Sequence, residues 1–494
     1  MSYTDATIEE VNLALQKSYN AFNEYKKKGL KARAHFLRNI ADELQQRSAE
    51  LITTANKEAK LEESRLKVEF RRTLFQLTSY ADACEEGTWL DIRIDTADRN
   101  RNPIKPDLRK MLVPLGPVVV FGASNFPFAY STAGGDTASA LAAGCSVIIK
   151  AHPAHAETSE LVAAAVQRAA VKCNLPEAVF IHLHGASFEV GKALVQHPLT
   201  KAVGFTGSFE GGKALFDLAN QRTVPIPVFA EMGSVNPVFL LPIKLKNDVM
   251  AIADMYADSI TQSAGQFCTN PGILIGIADE SLDEFVALLG EKIAGTLPQK
   301  MLHPGIAQNF RERRNAVLNA NGVTVAAVSV REAEENESIP TLLTVDANDF
   351  LGNPLLHKEV FGPFSILVRC RGIEELVQVA LSLEGQLTCN LLATNEEVNA
   401  NFELVEILME KCGRLVLNGV PTGVEVALSM HHGGPFPATT DSRFTAVGAD
   451  AIKRFARPLC YQNWSNNLLP DELKDENPLG LWRTVNNLLT NRAI

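Results

Sequence analysis

From residue 116 to residue 232 the chain alternates short apolar runs with stretches of helical periodicity, and few folds accommodate that rhythm. Val118-Val119-Val120-Phe121 lies between Gly116-Pro117 and Gly122-Ala123, which predicts a strand bounded by turns. A helix is predicted over about 132–143, a strand over 146–150 and a helix over about 158–172. A strand over 179–183 follows, then a short helix ending near Gln196, then a strand over 202–206 that leads into another helix. This order specifies a parallel sheet with crossover helices, and such sheets bind ligands beyond the carboxyl ends of their strands. Asn125 follows the first of these strands, Lys150 closes the second and Gly207-Ser208 follows the last. Those positions are predicted to face a ligand.

Apolar runs resume from Val238 as a second α/β unit, at 272–275, 342–345, 364–368, 391–393 and 415–417. Ahead of both units, Thr7-Ile8-Glu9-Glu10 fits a capping box that opens a helix through Val11, Leu15, Tyr19 and Phe22. Gly29 ends it, and one long helix is predicted over about 31–60. The polar segment 93–110, with Pro103 and Pro106, reads as an excursion from the main fold. The last 30 or so residues, polar and carrying Trp482, resemble an arm better than a domain.

A chain of 494 residues can bury a large core without disulfides or metals. Its net charge of −10 argues against nucleic acid or an anionic membrane as the main partner. A phosphate-bearing ligand must then be held by local basic residues and backbone amides. The N-terminus has no signal-type apolar core, and no run approaches the roughly 18 apolar residues of a membrane span. The eight cysteines are scattered, the nearest two being Cys370 and Cys389, which excludes a CxxC pair or a zinc knuckle. A soluble cytoplasmic protein with reduced thiols is expected.

Four places stand out chemically. Cys268, in Gly265-Gln266-Phe267-Cys268-Thr269, follows a glycine that permits a tight turn presenting the sulfur. A nucleophilic cysteine acts as thiolate, which requires partial exposure and a site that lowers its pKa. Taken alone, it is more readily a small buried core residue, the commonest fate of a lone cysteine. Glu231 directly follows Val228-Phe229-Ala230, and an apolar setting raises a carboxyl pKa toward the range of a general base. Taken alone, it is more readily a solvated glutamate at a strand end. Gly204-Phe205-Thr206-Gly207-Ser208 with Gly211-Gly212 lies between strand and helix, where amides reach a pyrophosphate; the alternative is a turn that needs positive φ. No GxGxxG fingerprint occurs. His431-His432 lacks an HExxH context, so a loop or packing role is expected, and no metal.

Together these pieces resemble the aldehyde dehydrogenase superfamily over essentially the whole chain. Ser124-Asn125-Phe126-Pro127 is similar to the segment carrying its oxyanion-hole asparagine, and Val147-Ile148-Ile149-Lys150 to its cofactor lysine. Gly204 to Ser208 resembles its dinucleotide turn, Glu231-Met232-Gly233 its base, and Gly265 to Cys268 its nucleophile segment. Glu359-Val360-Phe361-Gly362-Pro363 resembles the segment whose glutamate binds a cofactor ribose. The stretches 134–141, 418–426 and 432–437 resemble one bacterial branch, holding α-ketoglutaric semialdehyde dehydrogenases and NADP-dependent fatty aldehyde dehydrogenases.

The resemblance implies an α/β fold: a dinucleotide-binding domain at 1–94 and 115–232, a catalytic domain at 233–430, and a small β oligomerisation element of 95–114 with part of 437–494. It implies a homodimer or homotetramer. It implies that Cys268 adds to an aldehyde, Asn125 and the Cys268 amide hold the oxyanion, and Glu231 activates the water that hydrolyses a thioester. The expected substrate is 2,5-dioxopentanoate, with long-chain fatty aldehydes as the alternative. A catalytically silent, cofactor-binding structural protein is the alternative of another class. In NAD-preferring relatives a glutamate stands three residues after the cofactor lysine; here Lys150 is followed by Ala151, His152 and Pro153, and the first carboxylate is Glu157. With positive charge from Lys150, His152 and Lys213, NADP is expected to be used at least as well as NAD, unless Glu210 turns inward.

Overall fold

The computed structural model describes residues 3–494. Four helices come first: α1 (Ile8–Tyr25), α2 (Leu30–Gln46), α3 (Ser48–Ala59) and α4 (Glu63–Glu86). Thr7 and Glu10 form the reciprocal capping box of α1. The single helix predicted over 31–60 is broken at Arg47, which leaves helical geometry at φ −115°, ψ 17°. The break lets Ile40 and Leu44 of α2 and Leu51, Ile52 and Ala55 of α3 reach the same core, against α4.

The chain then makes β1 (Arg93–Asp95) and β2 (Leu108–Pro114) and enters the predicted alternation. Its elements are β3 (Val118–Phe121), α5 (Gly135–Ala143), β4 (Val147–Lys150), α6 (Ala156–Lys172), β5 (Phe180–Leu183), α7 (Phe188–Gln196), β6 (Ala202–Thr206), α8 (Phe209–Asn220) and β7 (Val228–Glu231). The five strands are parallel, in the order β5-β4-β3-β6-β7. β3, whose residues are all buried, is central because it is covered by helices on both sides.

The second unit runs through β8 (Val238–Leu240), α9 (Pro242–Thr261), β9 (Ile273–Ile277), α10 (Glu280–Gly295), β10 (Gln299–Lys300), α11 (Pro304–Leu318), β11 (Thr324–Val328), β12 (Glu337–Ser338) and β13 (Thr341–Asp346). It continues with α12 (Ala347–Gly352), β14 (Phe364–Cys370), α13 (Ile373–Ser382), β15 (Gln386–Leu392) and β16 (Cys412–Leu417). Its seven-stranded sheet has the order β11-β13-β14-β9-β8-β15-β16, parallel except for β11. A third sheet, β17-β2-β1-β18-β19, joins the excursion to the C-terminal region through β17 (Ala456–Gln462), β18 (Arg483–Val485) and β19 (Leu488–Thr490). The polar segment read as an arm is therefore partly strand: its backbone finds ladder partners, and Leu473, Leu481, Arg483 and Val485 anchor it as buried side chains. Among the described residues no helix is long and apolar enough to cross a membrane.

Candidate active site

The carboxyl ends of the two parallel sheets face a common cleft of about 650 Å³, a size suited to a ligand. Asn125, His152, Gly207, Ser208, Glu231, Cys268, Glu359 and Phe361 line it. Lys150, Pro153 and Lys213 are not among its lining residues.

The nucleophile segment is built under constraint. After α9, Ser263, Ala264 and Gly265 all take left-handed φ, at 52°, 57° and 62°. A Cβ on Gly265 would come within 2.3 Å of the Gly362 carbonyl, so the sharp reversal ahead of Cys268 needs glycine there. The Asn236 side-chain amide donates to the carbonyls of Cys268 (2.9 Å) and Asn270 (3.0 Å), and Gln266 accepts the Leu302 N–H at 3.0 Å. Cys268 is held as part of a rigid loop.

Glu231 ends β7, buried, and the segment after residue 431 packs across it: the Met232 N–H donates to the Ala438 carbonyl, and Glu231 bridges to Thr439. This segment carries His432, whose N–H donates to Thr445 Oγ1 at 2.9 Å. The His432 ring lies between the other two groups. Its Nε2 is 3.0 Å from Glu231 Oε1 and 3.6 Å from Cys268 Sγ. One ligand atom from each of the three residues falls within 4.8 Å of the others, so a borderline-soft metal ion would also fit and would tie up the sulfur. The expectation of a loop or packing role for His432 is corrected. Nothing local in His431-His432-Gly433 marks it, because its partners are 164 and 201 residues away.

Two electrostatic expectations are also corrected. Burial pushes the Cys268 thiol well up, and the nearby Glu231 charge adds to that, so the free site holds a neutral thiol. Burial is the largest influence on Glu231 and pushes it up, but His432, the Cys268 thiol and Arg454 together outweigh it and hold the carboxyl below its ordinary value. A carboxylate in contact with a neutral thiol, through and beside an imidazole, can take up that thiol's proton as the sulfur attacks. Asn125, after β3, is buried; its side-chain amide donates to the Gln266 carbonyl at 3.2 Å, two residues before Cys268.

At the dinucleotide end, Gly207 has no positive φ. A Cβ there would meet the Phe205 ring at 2.6 Å, so close packing explains the glycine. Ser208 caps α8 by accepting the Gly211 N–H at 3.2 Å. Glu359 is half-buried in the cleft wall and pushed up to about 7, by desolvation first; a Cβ on Gly233 would stand 2.6 Å from its carboxylate. The bare backbone at 207 and 233 and a helix N-terminus opening on the cleft form a cradle that fits a dinucleotide.

The positive charges expected for a 2′-phosphate are reduced. Lys213 Nζ makes 2.7 and 2.5 Å contacts with both oxygens of Asp217, one turn on, so it is a paired helix lysine. His152 accepts the Ala154 N–H on Nδ1, and burial holds its pKa well below the ordinary value, so it is neutral. Lys150 alone remains cationic, with its Nζ 6.0 Å from the Phe121 ring centroid. Glu210 lines the cleft, where Arg313 pairs with it at 2.9 Å and offsets its charge. Glu58 of α3, missed in the sequence, caps α6 by accepting from the backbones of Glu157 and Thr158 and from the Thr158 hydroxyl.

A sequence profile described as the aldehyde dehydrogenase family matches residues 1–438. The chain is 44% identical over 490 residues to an alpha-ketoglutaric semialdehyde dehydrogenase of Acinetobacter baylyi, covering 99% of this chain and 93% of that one. It is 46% identical over 475 residues to alpha-ketoglutaric semialdehyde dehydrogenase 2 of Azospirillum brasilense, covering 96% and 90%. A solved glyceraldehyde-3-phosphate dehydrogenase, GapN of Methanocaldococcus jannaschii complexed with NADP, shares the fold with a TM-score of 0.78 at 21% identity, covering 93% of this chain and 95% of that one.

Proposed function

Since the chain belongs to the aldehyde dehydrogenase family, we propose that it oxidises 2,5-dioxopentanoate to 2-oxoglutarate through a thioester on Cys268. The observation that carries the chemistry is the contact series from Cys268 Sγ to His432 Nε2 to Glu231 Oε1. The substrate rests on the two semialdehyde dehydrogenases above, each matched over most of its length.

In this mechanism the thiol proton passes to the Glu231–His432 pair as sulfur bonds to the aldehyde carbon. The Asn125 amide and the Cys268 backbone N–H stabilise the oxyanion. The nicotinamide dinucleotide, when bound, supplies the acceptor for the hydride that leaves that carbon. Once the pair has released the thiol's proton to solvent, Glu231 takes a proton from water, the water oxygen bonds to the thioester carbon, and the Cys268 sulfur leaves and takes up that proton. Glu359 and the 207–208 turn are assigned to holding the dinucleotide, with Lys150 near its adenosine end. We further propose dual cofactor use, with NADP at least as good as NAD: the Lys150–Pro153 stretch has no carboxylate, while Glu58 at the α6 N-terminus limits the preference. Residues 1–94 and 115–232 are proposed as the dinucleotide domain and 233–430 as the catalytic domain.

The test is a substrate screen with both cofactors, run beside two variants. Cys268→Ala is expected to abolish activity and keep cofactor binding. Glu231→Gln is expected to leave His432 as the acceptor of the thiol proton, giving one slowed burst of reduced cofactor and then very slow turnover, and steady turnover at the wild-type rate would remove Glu231 as the base. A specificity constant higher for decanal than for any short semialdehyde would reverse the substrate assignment.

A further inference from the structure

We infer that Arg65, beside the cleft next to Phe126 and Phe267, binds the carboxylate of the substrate, with Arg72 and Arg414 as further cations around the site; this rests on the semialdehyde reading above. Arg65 and Arg72 stand two turns apart on α4 and so share a face. The Arg65 guanidinium lies 4.9 Å from the Phe126 ring and 5.5 Å from the Phe267 ring. Phe126 follows Asn125 and Phe267 precedes Cys268, so the arginine borders the predicted oxyanion and nucleophile positions together. Its Nη2 donates to the Asn125 carbonyl at 2.7 Å, while Nη1 is buried without a partner.

The other two arginines repeat the pattern. Arg72 Nη2 donates to the Tyr130 hydroxyl at 3.2 Å, and the Tyr130 ring lies 6.4 Å from that of His432. Arg414, on β16, donates to the carbonyls of Gly423 and Pro421. In both, Nε is buried without a partner. Among the described residues none of the three has a carboxylate within 4.0 Å. The one acid on this face of α4, Glu69, is held away by the N–H groups of Phe128 (2.8 Å) and Ala129 (3.0 Å).

Buried guanidinium N–H groups left unpaired are costly, and a planar carboxylate is the ligand that satisfies a guanidinium fork. An aliphatic chain would leave all three cations unmatched. The aromatic rings beside Arg65 hold its plane by stacking and so orient the fork.

The experiment compares 2,5-dioxopentanoate with pentanal, uncharged and of the same length, on the full-length enzyme at saturating cofactor. Wild type, Arg65→Ala and Arg65→Lys are assayed, and glutarate is titrated as a competitive inhibitor. Arg65→Ala is expected to raise KM for the semialdehyde and Ki for glutarate by about 10- to 100-fold, the loss of one charge-assisted pair, with pentanal changed by less than about threefold. Arg65→Lys is expected to recover part of the loss while binding cofactor as wild type does. Parallel loss on pentanal would mean that Arg65 only positions Asn125, and it would overturn the inference. So would glutarate that fails to inhibit wild type. A wild-type preference for pentanal would overturn the semialdehyde reading instead; glutarate inhibition lost in Arg65→Ala would still uphold Arg65.

Discussion

The Cys268 sulfur sits where burial and the Glu231 charge both oppose its ionisation. A raised thiol pKa leaves less thiolate at neutral pH, and the fraction grows as pH rises toward that pKa. Alkylation of the free enzyme by iodoacetamide is therefore expected to be slow at pH 7 and to accelerate into the alkaline range. Its apparent pKa should lie above the roughly 8.5 of an ordinary cysteine. A plateau reached below pH 8 would show that the free site already holds a thiolate. The identities of Cys268, Glu231 and Asn125 could be read from their motifs, whereas their charge states could not. The sign at Glu231 depends on His432, which the chain delivers from 201 residues away. Lys213 differs, since the Asp217 that pairs with it is one turn along the same helix and was visible in the sequence.

Two turns decide what the strands present. Gly265 combines φ 62° with a Cβ position 2.3 Å from the Gly362 backbone. Gly265→Ala is expected to cost about 2–4 kcal/mol of stability, from left-handed strain plus displaced backbone, and to lower kcat at least roughly tenfold by moving Cys268. Thermal melts and turnover together check this, and a variant of wild-type stability and rate would refute the close contact. The second turn joins β4 to α6, where Pro153 is exposed. Pro153→Glu is expected to favour NAD over NADP by about 1–3 kcal/mol, roughly 5- to 150-fold in the ratio of specificity constants, by placing an anion near the 2′-phosphate. An unchanged ratio would locate the adenosine ribose elsewhere.

We propose that the third sheet is where the molecule meets further copies of itself. β17 and β19 are its edges, and Trp482, Leu488 and Leu489 are at least half exposed beside them. Unpaired strand edges next to exposed apolar side chains invite association. Light scattering at micromolar concentration is expected to give a mass at least twice 53.8 kDa, and a dimer or tetramer is the proposed state. A monomer would contradict it.

The sequence by itself determined the two parallel sheets, because strands covered on both sides are written as apolar runs that little else can absorb. It also offered Cys268, Glu231 and Asn125 as candidates for nucleophile, base and oxyanion donor, through short segments that resemble those of the family. Only the tertiary structure decided what surrounds them. His432 comes from beyond the second unit, Arg65 and Arg72 from an N-terminal helix, and Arg414 from the edge of the far sheet. Nothing local marks these residues, since charge and hydrogen bonding act through space between groups distant in the chain. The break at Arg47 had the same origin: the local pattern favours one continuous helix, and the shared core favours two.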